Sequence, residues 1–148
     1  MGCAIRIGGV SLTRTVLLAG LKATGALTPQ ASTRHGLFAQ NCAGALRIFD
    51  CELSGVPLDS ASSTSCAEGQ GAFLDSCGDV AFVGCTLSGS TAPPVPAYHG
   101  TFIPGAGVAD GGHGMYSDTS TSTLYDSALR GGMSGLGGYF GPTSCGVP

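Results

Sequence analysis

The chain has 148 residues, enough for a single domain over 1–148 with a modest core. A formal charge of −3 with only six basic residues gives no cationic patch for nucleic acid, and 43% hydrophobic content excludes a disordered chain. The longest apolar stretch, residues 16–21, falls far short of the roughly 20 residues that a membrane-spanning helix needs.

Beginning at the N-terminus, residues 4–25 form the most degenerate of four copies of one sequence repeat. Ile5 and Ile7 open this copy, and Val16 and Leu18 continue it. Alternation of apolar and polar residues over short stretches predicts strands rather than helices.

Three clearer copies follow at residues 36–55, 71–89 and 114–131. The second copy opens with Gly36-Leu-Phe-Ala-Gln-Asn-Cys42 and closes with Cys51-Glu-Leu-Ser-Gly55. Repetition at such intervals predicts a solenoid, in which each unit buries its apolar face only by stacking on its neighbours.

Alignment of the copies predicts which side chains form the core. The aligned columns are Val16, Leu46, Val80 and Ser122; then Leu18, Ile48, Phe82 and Leu124; then Ala23, Leu53, Leu87 and Leu129. Each coil would have three strands, and four coils stacked in parallel would make a column about 20 Å tall. Glycines that end the coils, such as Gly55 and Gly89, fit turns that require positive φ.

The length differences between copies all fall between the third strand of one coil and the first strand of the next. Segments 26–35, 56–70 and 90–113 occupy that place, and residues 132–148 form a tail. Their Pro, Gly, Ser and Thr content predicts surface loops that emerge at one corner of the fold.

The seven cysteines cannot all pair within one chain. Two pairs align in the repeat: Cys42 with Cys77, and Cys51 with Cys85. This alignment predicts small core residues rather than disulfide partners. A bridge between Cys66 and Cys145, which lie in Gly/Ser-rich segments, is an open alternative.

The repeat resembles the right-handed parallel β-helix of the pectate lyase-like superfamily. The resemblance covers about residues 4–131 and rests on the Gly-apolar-x-apolar opening and the Cys/Ser-x-Leu-x-Gly close. It implies an all-β chain, a right-handed parallel β-helix of about four coils, outside the cell or on its surface. Members include polysaccharide lyases, glycoside hydrolases, phage tail-spike proteins and cell-surface proteins without known activity, so the fold does not fix a function.

Neither end of the predicted β-helix carries a recognisable cap, and the N-terminus has no clear signal peptide. Uncapped coils present unpaired backbone groups, which invites association. We therefore expect an incomplete helix that is a piece of a longer one or that self-associates through its coil ends.

A candidate ligand site lies on the outward side of the first strands. Pleat alternation turns Phe38, Phe73 and Tyr116 outward in one column, with Arg6 beneath them. A row of exposed rings suits stacking on the sugar rings of a polysaccharide. The alternative is that segment 90–113 folds over this face and buries the rings.

The adjacent outward column is polar and consists of Gln40, Asp75 and Asp118. These side chains would accept hydrogen bonds from sugar hydroxyls. No cofactor is expected, although two carboxylates one coil apart also offer a site for calcium. Solvated surface acids are the alternative interpretation.

A complete catalytic set is not recognisable in the sequence. Gly112-His113-Gly114 is similar to the Gly-His-Gly of polygalacturonases, but that family's Asn-Thr-Asp, Asp-Asp and Arg-Ile-Lys segments are missing. We therefore expect a non-catalytic β-helix segment with a structural or weak carbohydrate-binding role. The alternatives are a fragment of a polysaccharide lyase or glycoside hydrolase, and an oligomeric fibre or tail-spike-like shaft.

Overall fold

A computed structural model describes residues 4–26, 34–56, 69–91 and 111–132, and 59% of these residues lie in strands. The described residues contain no helix, which confirms the all-β prediction. The ten strands are β1 (Ile5–Gly8), β2 (Thr15–Ala19), β3 (Lys22–Thr24), β4 (Leu37–Phe49), β5 (Glu52–Ser54), β6 (Ala72–Val83), β7 (Thr86–Ser88), β8 (Met115–Asp118), β9 (Ser122–Tyr125) and β10 (Ala128–Arg130).

These strands form two sheets in which every pairing is parallel. The larger sheet has the order β1-β4-β6-β8, with β2 also paired to β4 and β9 also paired to β6. The smaller sheet has the order β10-β7-β5-β3. Each strand therefore lies beside the equivalent strand of the neighbouring repeat.

The residue-by-residue register agrees with the alignment of the sequence repeats. Leu46 pairs with Val80, Ile48 pairs with Phe82, and Leu53 pairs with Leu87. Leu46, Ile48, Val80, Phe82, Leu53 and Leu87 are all buried. In-register parallel pairing places each apolar position on the equivalent position of the next repeat, so the columns form the core.

The prediction of three separate strands per repeat is wrong for the two middle repeats. There the first two segments run as one strand, β4 or β6, through a single residue with left-handed backbone: Asn41 (φ 54°) or Ser76 (φ 55°). The register shifts just afterwards, between Cys42 and Ala45. One left-handed residue redirects a strand without ending its ladder.

The explanation given for the glycines that end the coils is also wrong. Gly55 and Gly89 do not have positive φ, whereas the non-glycine residues Asn41, Asp50, Ser76, Thr119 and Asp126 do. A Cβ atom added at Gly55 would overlap the carbonyl group of Gly69, and one added at Gly89 would overlap that of Gly112. Close approach of backbone segments therefore requires glycine at these two positions.

The apolar core is completely buried in the two middle repeats and partly exposed in the fourth. Leu53 and Leu87 are completely buried, but Leu129, predicted to continue their column, is 50% exposed. Leu129 lies on β10, which is the outermost strand of its sheet. The prediction that Leu129 is a core residue is therefore wrong.

The aligned cysteines are core residues, as predicted. All four are free and buried: Cys42, Cys51, Cys77 and Cys85. Burial raises the pKa of the Cys77 and Cys85 thiols, which favours the neutral form. The Cys77 thiol donates to the Asp75 carbonyl at 3.5 Å. Ser120 occupies the equivalent position of the fourth repeat, and its hydroxyl donates in the same way to the Asp118 carbonyl at 2.7 Å. Cys66 and Cys145 lie outside the described residues.

Backbone hydrogen bonds join the bases of the predicted loops at one corner. The Val56 N–H donates to the Arg34 carbonyl at 2.9 Å, and the Ser90 N–H donates to the Gly69 carbonyl at 2.8 Å. The Gly112 N–H donates to the Ser90 carbonyl at 2.8 Å. The structure does not describe residues 27–33, 57–68, 92–110 and 133–148. The prediction that segment 90–113 covers the aromatic rings therefore falls mostly outside the described residues.

Candidate functional site

The predicted aromatic column is a continuous stack of rings. Phe38 pairs with Phe73, and Phe73 pairs with Tyr116, on strands β4, β6 and β8. The centroids of Phe38 and Phe73 are 5.3 Å apart with 8° between the ring planes. Those of Phe73 and Tyr116 are 5.0 Å apart with 15° between the planes. In-register pairing and equal side-chain direction on adjacent strands produce this parallel arrangement.

The stack is exposed mainly at one end. Phe38 is only 8% exposed, Phe73 is half-buried and Tyr116 is 42% exposed. The prediction of a row of exposed rings is therefore wrong for Phe38. The physical reason is that parallel rings cover one another's faces, so Tyr116 offers the most accessible ring surface.

His35 belongs to this cluster, although sequence analysis did not find it. Its ring lies 4.9 Å from the Phe73 ring and 6.0 Å from the Phe38 ring, centroid to centroid. The backbone N–H of Gln70 donates to His35 Nδ1 at 3.2 Å. Burial, together with the nearby Arg34 charge, lowers the pKa of His35 from 6.5 to about 4. The repeat alignment places His35, Gln70 and His113 at one position, so the recurrence of histidine there was the available signal.

Arg6 lies at the other end of the stack, as predicted. Its guanidinium carbon is 5.6 Å from the centroid of the Phe38 ring. Arg6 occupies the register position of the aromatic column, because it pairs with Phe38 across β1 and β4. This is a cation–π contact at the end of the stack opposite to Tyr116.

The polar column also has the predicted register. Gln40 pairs with Asp75, and Asp75 pairs with Asp118. Gln40 Nε2 donates to Asp75 Oδ2 at 2.7 Å, and Ser76 Oγ donates to Asp75 Oδ1 at 2.8 Å. The Gln40 hydrogen bond, with a smaller effect from Ser76, lowers the pKa of Asp75. Asp75 is therefore ionised at neutral pH while both of its oxygens keep free lone pairs.

Asp118 lies at the outer end of this column, next to the accessible end of the aromatic stack. It is exposed, and Thr119 Oγ1 donates to its Oδ1 at 3.2 Å. Asp118 follows Tyr116 by two residues on β8, so the two side chains project from the same face of the strand. The stack and the polar column thus run side by side across three strands.

No protein-family model, curated protein or solved structure matches this chain. The described residues also contain no helix with the length and hydropathy that a bilayer crossing requires.

The described residues contain no group of three or more His, Cys, Asp or Glu side chains arranged to hold a metal ion. Asp75 and Asp118 are paired in register, as the calcium prediction requires. Calcium usually takes six to eight oxygen ligands, so this pair would need water or further chain oxygens to complete a site. Calcium binding stays a prediction.

The glycines of Gly112-His113-Gly114 have a structural explanation. A Cβ atom at Gly112 would overlap the Gly69 carbonyl, and the Gly112 N–H and carbonyl both form backbone hydrogen bonds. The His113 carbonyl accepts the Gly71 N–H at 3.2 Å, and the His113 side chain is exposed. Close packing between repeats therefore accounts for the two glycines.

Proposed function

We propose that the four repeats are coils of a right-handed parallel β-helix of the pectate lyase-like kind. In this proposal the chain is a non-catalytic segment of an extracellular or cell-surface protein, and it binds carbohydrate weakly. Parallel pairing of equivalent strands, the agreement of register with the sequence repeat and the columns of buried apolar side chains support the winding. The handedness rests on the general preference for right-handed parallel crossovers.

The observation that carries the binding proposal is the side-by-side position of two columns. The stack of Phe38, Phe73 and Tyr116 runs next to the polar column of Gln40, Asp75 and Asp118, in register on the same three strands. An aromatic surface packs against the C–H face of a pyranose ring, and neighbouring carboxylates accept its hydroxyl hydrogens. Tyr116 and Asp118, the exposed members, would make the first contacts.

The test is a binding measurement with defined oligosaccharides. Titrating the chain with cellohexaose and laminarihexaose, followed by calorimetry or NMR, should give dissociation constants in the millimolar range, with the Tyr116 ring resonances shifting. Y116A should weaken binding by about fivefold or more, since an aromatic contact contributes roughly 1 kcal/mol. The matched control is Y125A, which removes a tyrosine that is also exposed but lies on β9, outside the stack.

Wild-type chain that binds neither these nor other oligosaccharides would overturn the binding proposal. Loss of binding in Y125A as large as in Y116A would show that the stack is not the site.

The non-catalytic part of the proposal has its own test. The chain should release no product from pectins or alginates, with or without calcium. Product formation that D75N or D118N abolishes would instead support the alternative of a lyase or hydrolase fragment.

Self-association is a second candidate function, and the exposure of Leu129 favours it. Leu129 continues the fully buried column of Leu53 and Leu87 and yet is half exposed on β10. A second copy stacked on the fourth repeat, where β8, β9 and β10 have free edges, would bury it and extend both sheets. Light scattering should then show a concentration-dependent mass that L129D abolishes, whereas a monomer at all concentrations would argue against a fibre or shaft role.

A further inference from the structure

The charged side chains of the column next to the accessible end of the aromatic stack are both carboxylates. Asp118 lies two residues from Tyr116 on the same face of β8, and Asp75 is its partner in register on β6. Adjacent strands are about 4.8 Å apart and each residue rises about 3.3 Å, so the Cα atoms of Asp118 and Asp75 lie roughly 7–8 Å from that of Tyr116, within the span of a disaccharide. From this we propose that the site selects cationic amino sugars over neutral and uronic-acid sugars. This inference rests on the proposed carbohydrate-binding function.

The described basic groups near the stack lie outside the column of Asp75 and Asp118. Arg34 is buried beside His35, and Arg130 is exposed on β10, in the smaller sheet. Arg6 contacts Phe38 and lies three strands from Tyr116, roughly 14 Å away. That distance exceeds the Debye length of about 8 Å at physiological ionic strength. Arg47, on the same sheet, forms an ion pair with Asp79 at 2.5 Å. His35 contacts the stack but is neutral above about pH 4.

The hydrogen-bonding groups of the polar column also favour a cationic ligand. A carboxylate accepts hydrogen bonds and cannot donate them. The acidic members of the column are the exposed Asp118 and the half-buried Asp75. The one amide donor in the column, Gln40 Nε2, already donates to Asp75. An ammonium group of the ligand therefore meets free acceptors, whereas a ligand carboxylate meets two like charges.

Three hexasaccharides of similar size separate charge from shape: a glucosamine oligomer, its N-acetylated form and an oligogalacturonate. The measurement is the dissociation constant of each at about pH 6, where the sugar amine is protonated, beginning at physiological ionic strength. The glucosamine oligomer should bind roughly tenfold more tightly than the N-acetylated form, because each exposed ion pair contributes a factor of a few. The uronate should bind most weakly, and the preference should shrink as salt rises.

The variants show where the preference originates. D75N/D118N should reduce it to about twofold or less while keeping affinity for the N-acetylated oligomer, which still packs on Tyr116. The matched control E52Q/D126N removes two carboxylates elsewhere, on β5 and in the turn before β10, and should keep the preference.

Each contrary result has a distinct meaning. Equal affinity for the charged and acetylated oligomers, or tighter binding of the uronate, would overturn this inference and leave carbohydrate binding standing. The same would follow if E52Q/D126N lost as much preference as D75N/D118N, since net charge alone would then explain it. Absence of binding to all three oligomers would overturn both proposals.

Discussion

His35 lies against Phe73, with their ring centroids 4.9 Å apart and 28° between the ring planes. The contact joins the start of the second repeat to the first strand of the third. The same imidazole accepts a hydrogen bond from the Gln70 backbone, so one side chain both packs against the stack and satisfies a backbone donor. Burial, followed by the nearby charge of Arg34, favours the neutral form of this histidine.

The free energy of unfolding should therefore decrease as the pH is lowered through a defined range. The pKa of His35 is lowered from 6.5 to about 4 in the folded chain, so the unfolded chain binds more protons between these values. The stabilisation is complete above about pH 6.5 and is lost as the pH falls to about 4, by roughly 3 kcal/mol at most. Urea unfolding at a series of pH values measures this slope.

The control for that experiment is H35Q, which keeps an acceptor for Gln70 and removes the titration. H35Q should flatten the slope between pH 6.5 and 4 and leave the loss at lower pH. The pKa values of Asp75 and Asp79 are lowered from 3.8, so their contribution disappears only below that range. An unchanged slope in H35Q would contradict the assignment.

The middle ring of the stack should matter most for stability. F73A removes contacts with three rings, those of Phe38, Tyr116 and His35, and should lower the free energy of unfolding by about 2–4 kcal/mol. Y116A removes one described ring contact at an exposed position and should cost about 1 kcal/mol. Equal losses in the two variants, measured by denaturant unfolding, would contradict a stack with an accessible end.

Glycines that are required by close packing should respond differently from glycines that are required by conformation. G55A introduces a methyl group into the Gly69 carbonyl and should destabilise by about 2 kcal/mol or more. G20A places alanine at φ 64° with no atom within 4 Å of its Cβ, and should cost about 1 kcal/mol. Thermal denaturation of the two variants ranks them, and the reverse order would refute the packing explanation.

The leucine column should show a gradient from the middle repeats to the fourth. L87A creates a cavity at a fully buried position and should cost about 3 kcal/mol. L129A, at a half-exposed position in the same column, should cost about 1 kcal/mol at concentrations where the chain is monomeric. A cost for L129A as large as that for L87A would mean that Leu129 is buried in solution.

The register could be predicted from the sequence because each repeat places apolar residues at the same spacing. Pairs such as Ile48 with Phe82 then follow from alignment alone. The continuity of β4 could not be predicted from the sequence. It depends on left-handed backbone at Asn41, and asparagine also occurs in turns that end strands.

The candidate site was predictable in its columns but not in its accessibility. Pleat alternation placed Phe38 and Tyr116 on one face, but it could not show that parallel rings would cover Phe38 and leave Tyr116 open. His35 escaped notice because its contact with Phe73 depends on how the backbone turns into the first strand, which no repeat spacing encodes.

The hydrogen bond from Gly112 to Ser90 closes the connection between the third and fourth repeats at its base. The pairing of β6 with β8 and the hydrogen bond from the Ser90 N–H to the Gly69 carbonyl also join the strands on either side. Loop-closure cost rises by only about 0.6 kcal/mol for each doubling of length. Foreign peptides grafted at this position should therefore be displayed from a scaffold that keeps its own fold.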